Sequence, residues 1–288
     1  MGPGRVRWDT AVLCEDSEVA TALAHFVADA DGTFAPTEFA LSRWGQDMLH
    51  GPAVVGLAAS SLESRYGADG FLPARFTADL FKAARRVPTL VRSRLIRDGR
   101  RVRNAECDIL QGDALVARAV MVQYRQSEAP PGQEWTGRPE FVPPTGVEGS
   151  VYLVGSDDGG WSPSGAQHQN TSRKRVYQST IDVIAGKQAS PFVRTVVAAE
   201  ATSLVTNLGT RGIGYINGDL TVALSRLPVG DYVGVQAESH WCADGIAVGS
   251  ATLFDGTSAF GTAMVTAIAN PAAQIDFGTN PPPIPQGE

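Results

Sequence analysis

Cysteine and histidine are scarce in this chain. Its 288 residues hold three cysteines (Cys14, Cys107 and Cys242) and four histidines (His25, His50, His168 and His240). Three widely spaced cysteines make no disulfide framework and read as reduced thiols, which points to the cytoplasm. Neither residue type recurs at metal-ligand spacing, and no Cys-x-x-Cys occurs, which argues against a metal site. A Gly-x-Ser-x-Gly elbow is missing, which argues against a serine hydrolase. No run approaches the roughly 20 apolar residues of a membrane span, and MGPGRVRWDT (1–10) has no apolar stretch of the secretory-leader kind. Basic charge is also short. The net charge is −6, which excludes a general nucleic-acid binder. GIGYING (212–218) carries Gly-x-Gly, but a predicted helix precedes it and a strand follows, the reverse of a dinucleotide site.

What is present is a packed-protein composition, 43% hydrophobic and 19% charged, arranged as a repeat. GPAVVGLAASSLESR (51–65) predicts a helix with Val55, Ala58, Ala59 and Leu62 on its apolar face. Residues 75–125 then read as a four-strand meander with turns at Asp98-Gly99 and Gly112-Asp113. SPFVRTVVAAEATSLVTNLG (190–209) predicts a second helix, capped by Ser190 and closed at Gly209. Residues 216–268 predict a second meander, with turns at Asp244-Gly245 and Asp255-Gly256. Pro52 and Pro191 are 139 residues apart, and Gly99 and Gly245 are 146 apart. Residues 128–150 are a proline-rich connector, 155–175 a polar loop, and 271–288 a tail laid over the surface. The expected domains are therefore 1–127 and 151–270, in an α+β architecture whose two sheets join edge to edge.

Val193, Val196, Val197 and Leu204 share one face of the second helix, and Glu200 falls in the middle of it. Setting Pro52 on Pro191 places Ser61 with Glu200, so only one copy carries the acid. A carboxylate in a partly apolar cleft can deprotonate a water. Nine of the 24 lysines and arginines lie between Lys82 and Arg103. Arg92 and Arg94 alternate on one strand, with Arg101 and Arg103 on its hairpin partner. Such rows suit phosphate groups or, with Asp98, Glu106 and Asp108 beside them, a solvated ion-paired face.

HGPAVVGLAASSLES (50–64), residues 81–119 and YINGDLTVALSRLPVGDY (215–232) resemble the double hot-dog acyl-CoA thioesterases of the thioesterase II type. The resemblance implies two fused hot-dog domains, each a long helix wrapped by an antiparallel sheet. It implies hydrolysis of fatty acyl-CoA to free acid and coenzyme A by a carboxylate-activated water, without metal or organic cofactor, and a homo-oligomer built from double hot-dog units. It implies Glu200 as the acid, Asn217 where the family has a hydroxyl residue, and Met264 where it has a glutamine. His50 and Gly51 become candidates for binding the thioester carbonyl at a helix start, and Arg101 and Arg103 for binding coenzyme A. The alternative is a non-catalytic acyl-CoA-binding or regulatory hot-dog protein, for which methionine at position 264 speaks. A hot-dog hydratase would want an Asp/His pair, which the helices do not offer.

Overall fold

The computed structural model describes residues 9–10, 23–146 and 152–279; Cys14 and the tail beyond residue 279 lie outside them. In chain order the elements are β1 (Ala24–Ala28), β2 (Thr33–Pro36), α1 (Gly51–Tyr66), β3 (Phe71–Leu80), β4 (Thr89–Asp98), β5 (Val102–Gln111) and β6 (Ala114–Arg125). There follow β7 (Tyr152–Ser156), β8 (Gly159–Ser162), β9 (Lys174–Gln178), β10 (Asp182–Ile184), α2 (Pro191–Ala199) and α3 (Thr202–Asn207). The last five are β11 (Tyr215–Asn217), β12 (Asp219–Leu224), β13 (Val233–Ala243), β14 (Ile246–Phe254) and β15 (Ala259–Ala269).

Each half builds a meander in the same order outward from the centre: first strand, fourth, third, second. In the first half this is β3, β6, β5, β4, and in the second β12, β15, β14, β13. The halves meet through β3 and β12, which pair antiparallel with Thr77 opposite Thr221, so each covers the other's edge. One sheet of sixteen strands results, the fifteen above and the short strand Asp9–Thr10, which pairs antiparallel with β4. Asp98-Gly99 and Asp244-Gly245 sit at equivalent hairpins but turn differently. Asp244 and Gly245 both have positive φ, 49° and 77°, the tight two-residue turn that matches strand twist. After Asp98 the chain takes a longer loop, closed by Gly99 N–H to Val102 O at 3.1 Å.

The helices lie against the inner face. Val55, Ala58, Ala59 and Leu62 of α1 are buried, as their spacing predicts. So are Val54 and Leu57, because α2 packs on the side of α1 that the sheet leaves free. Gly56 permits that approach, since a Cβ there would stand 2.8 Å from Val197. The two helices run antiparallel. Glu63, near the end of α1, accepts a hydrogen bond from Ser190 at the start of α2. Gly51, at the start of α1, faces Glu200 at the end of α2.

Two expectations need correction. The second helix is not continuous. It breaks after Ala199 and resumes at Thr202, and Ala201 N–H reaches back three residues to Ala198 O. The stretch 155–175 is not only loop: Gly159–Ser162 forms β8 against β7, and Ser156, Ser162 and His168 are buried there. The connector earns its place by laying Phe141 on Phe254, with ring centroids 4.7 Å apart. A crossing strand completes the frame. From the second half, β10 pairs parallel with β1 of the first, Asp182 opposite Ala24.

Candidate active site

Between the two antiparallel helices and the segment 178–181 that leads into β10 lies a half-open cavity of about 580 Å³. Its wall is apolar at Leu23, Phe39, Leu41, Ile181, Val197 and Leu204. Glu200 enters this wall from the break between α2 and α3. Backbone angles of −63° and −23° at Glu200, and −58° and −10° at Ala201, tighten the last turn toward 3₁₀ geometry.

Asn217, on β11, donates from Nδ2 to Glu200 Oε1 at 3.2 Å. Its own Oδ1 accepts from Ser203 Oγ at 3.4 Å, which fixes the amide's orientation. Gly51 lies on the other side of the carboxylate, where a Cβ would come within 2.0 Å of Glu200 Oε1. Only glycine leaves that room. Burial raises the Glu200 carboxyl to about 7, and the Asn217 hydrogen bond partly opposes the rise. At neutral pH it divides between base and acid, the range in which a group can take a proton and return it.

Glu200, Asn217 and Gly51 are therefore brought together. His50 is beside them in another role. Its Nδ1 accepts from Ala53 N–H at 3.1 Å, capping α1, and its Nε2 is 2.8 Å from Phe39 O. With both ring nitrogens engaged by backbone, His50 orients the start of the helix and has no atom left for a ligand.

Met264 departs from expectation. On β15 the inward residues are Ala263, Val265 and Ala267, all buried, so alternation turns Met264 to the outer face of the sheet, 42% exposed. It shares that face with Trp241, Ile246 and Ile268, and no hydrogen bond to a water held by Glu200 can pass through it. The arginine rows are also committed. Arg103 donates to Asp98 at 2.8 Å and to Tyr66 O, closing the far end of α1. Arg94 pairs with Glu106, and Arg118 with Asp108. Arg101 is exposed on the hairpin loop beyond them. This is the solvated ion-paired face, at the end of α1 opposite Gly51.

Two groups have no sequence signal. Tyr152, at the start of β7, lines the cavity, and burial together with the nearby Glu200 charge pushes its phenol up. His25, on β1, lines it too, held neutral by burial and by His50 with its value down at about 3. Both arrive through strands far from the helices, so spacing along the helix could not reveal them. Among the described residues no group of three or more His, Cys, Asp or Glu could hold a metal ion.

Comparison with known proteins settles the family. A model of the acyl-CoA thioesterase N-terminal domain matches residues 40–124, and one of the C-terminal domain matches residues 123–264. The chain belongs to the acyl-CoA thioesterase family. The boundary between those matches falls at the end of β6, where the first meander closes. No curated protein sequence matches the chain. Solved structures share its fold at low identity. A tesB protein of Mycobacterium avium subspecies paratuberculosis is 16% identical, with a TM-score of 0.60 over 83% of this chain and 93% of that one. A Thermobifida fusca protein described as a thioesterase II is 13% identical, with a TM-score of 0.64 over 88% and 100%. A hot-dog protein of Alicyclobacillus acidocaldarius is 12% identical, with a TM-score of 0.58 over 79% and 89%. The thioesterase-family fold is thus an α+β hot-dog architecture, and no helix among the described residues is long and apolar enough to cross a membrane.

Proposed function

We propose that this thioesterase-family protein hydrolyses acyl-CoA to a free acid and coenzyme A, with Glu200 as general base. The observation that carries the reading is the Glu200 carboxylate, raised to about 7 in an apolar cavity and held between Asn217 and the start of α1. The acyl chain lies in the cavity and the thioester carbonyl meets the Gly51 amide, the first of α1, which has no acceptor inside the helix. The helix dipole favours negative charge there. Glu200 takes a proton from a water that Asn217 helps to hold, and the water oxygen adds to the carbonyl carbon. The tetrahedral oxyanion collapses, the C–S bond breaks, and Glu200 returns the proton to the departing thiolate. Atoms balance without a covalent intermediate.

The chain is read as a double hot-dog, domains 1–127 and 151–270 joined by 128–150. The internal order of the two meanders and their shared central pair support this. Homo-oligomerisation is supported by the exposed apolar residues Trp241, Ile246 and Ile268 on the outer sheet face. A cytoplasmic setting fits Cys107 and Cys242, both free thiols. The test of the reaction is release of coenzyme A thiol across acyl-CoAs of graded length. Glu200→Gln keeps the shape and removes the charge, and should lower kcat by about 10²–10⁴-fold. Equal turnover in the variant removes Glu200 from the mechanism. Tight acyl-CoA binding without turnover by the wild type makes the protein a binder.

A further inference from the structure

Tyr152 is a cavity group to which the reaction above gives no task. It stands opposite Gln178 in the pairing of β7 with β9, so the two side chains lie on one face of the sheet. Gln178 points to the helices, where its amide donates to Ala198 O at 3.1 Å, two residues before Glu200. Tyr152 is thereby set beside the helix break. It lines the same cavity as Glu200 and is partly exposed. The Glu200 charge acts on its phenol. Burial and that charge raise it more than the Arg43 guanidinium lowers it, so the phenol keeps its proton throughout the range in which Glu200 titrates. Among the described residues no group accepts a hydrogen bond from it.

A tetrahedral oxyanion can accept more than one hydrogen bond, and the Gly51 amide supplies one. Other polar groups nearby are committed. Asn217 donates from Nδ2 to Glu200 Oε1 at 3.2 Å and to Asp219 O at 3.4 Å. Gln178 serves Ala198 O, and His50 is engaged at both nitrogens. We infer that the Tyr152 hydroxyl is a second oxyanion donor, hydrogen-bonding the thioester oxygen as that oxygen becomes charged. Tyr152 is then a catalytic residue beside Glu200. A fixed donor in a partly apolar cavity acts more strongly on a charged oxygen than on a neutral carbonyl, and that difference raises kcat. The phenol keeps its hydrogen while the oxyanion forms and collapses, and Glu200 makes both proton transfers. The inference rests on the proposed reading in taking the thioester carbonyl to lie between the start of α1 and Glu200.

The test uses Tyr152→Phe, which removes the hydroxyl and little volume. With one good acyl-CoA it should lower kcat by about 10²–10³-fold and leave KM within about threefold of wild type. Two non-hydrolysable coenzyme A analogues of matched length are also titrated into the full chain by calorimetry. One is a thioether with no oxygen at the reacting position, and the other a fluoroketone whose hydrate is tetrahedral. Tyr152→Phe should weaken the fluoroketone by about tenfold or more while the thioether binds as before. If kcat is unchanged, or if both analogues weaken by the same factor, the inference is overturned. If no thioester is hydrolysed but Tyr152→Phe weakens the fluoroketone selectively, the donor stands and the Glu200 mechanism fails. If hydrolysis depends on Glu200 and not on Tyr152, the Glu200 mechanism stands and the donor is wrong. Should Tyr152→Phe not fold, Tyr152→Leu, which also lacks the hydroxyl, decides by the ratio of the two affinities.

Discussion

Each long helix of this molecule brings a carboxylate to the start of the other, and the two carboxylates have different surroundings. Glu63 on α1 reaches the start of α2, where it accepts from Ser190 Oγ. Lys187 faces it as well and offsets part of the rise that burial causes. It is a structural group with its partners supplied. Glu200, after α2, reaches the start of α1 and finds glycine where its counterpart finds serine. A single amide holds it, no cation offsets its burial, and a cavity lies in front of it. The backbone differs in the same way. The first copy is one uninterrupted helix of 16 residues. The second is broken at the carboxylate, which swings Glu200 off the packed stripe and into the cavity wall. The carboxylate of the first copy is thus a structural link, and the second copy carries its acid two positions earlier in the repeat, facing a cavity.

The largest effect should separate the two acids. Glu200→Gln should cost about 10²–10⁴-fold in kcat. Glu63→Gln should stay within about threefold of wild type, because Glu63 does not line the cavity in front of Glu200, while losing roughly 1 kcal/mol or less of stability. Comparable losses of turnover in the two variants, with both folded, would erase the distinction. Next is Gly51→Ala, whose methyl would occupy the space of Glu200 Oε1. Displacing the carboxylate by even an ångström should cut kcat by about a hundredfold, and an unchanged kcat would show that the carboxylate need not stand there.

A thermodynamic prediction sharpens the same contrast. Glu200 is raised from about 4.5 to about 7 in the folded state, so the fold favours its protonated form. That contribution is fully present below pH 4.5 and is lost as pH rises through 7. At 1.36 kcal/mol per pKa unit, the wild type should lose about 3 kcal/mol relative to Glu200→Gln between pH 4 and pH 8.5. Denaturant unfolding of both proteins across that range checks it. Parallel stability curves would mean that the carboxylate is not buried as described. The smallest effect belongs to the arginine rows. Arg101→Ala with Arg103→Ala should leave KM for acyl-CoA unchanged at low and high salt, and should cost about 1 kcal/mol of stability through the lost Asp98 and Tyr66 contacts. A salt-sensitive rise in KM would restore these residues to coenzyme A binding.

The sequence was most legible where one periodicity governs one element. The apolar faces of both helices, the two meanders and the joining of their edges follow from spacing, turns and repetition. Glu200 stood out because it violates a stripe, whereas Asn217 was implied only by the resemblance to the thioesterases. The rest depended on geometry that periodicity does not carry. The break at Glu200 has no glycine or proline to announce it. Met264 was implied by the resemblance, where the family has a glutamine, but alternation alone does not say which face of β15 is inner, and buried Ala263 and Val265 settle that. His50 looked available until its two backbone hydrogen bonds were seen. His25 reaches the cavity on the strand that β10 pairs with, and Tyr152 on β7 opposite Gln178 of β9, long-range pairings that leave no local pattern.

The most direct test of the central claim is the pH dependence of kcat/KM for hydrolysis of one good acyl-CoA substrate between pH 5 and pH 9. With Glu200 as general base, the rate should rise tenfold per pH unit on the acid side and level off above an apparent pKa near 7. That limb should vanish in Glu200→Gln. A profile already level at pH 5, as for a carboxylate at its ordinary value, or one whose limb persists unchanged in Glu200→Gln, contradicts the account.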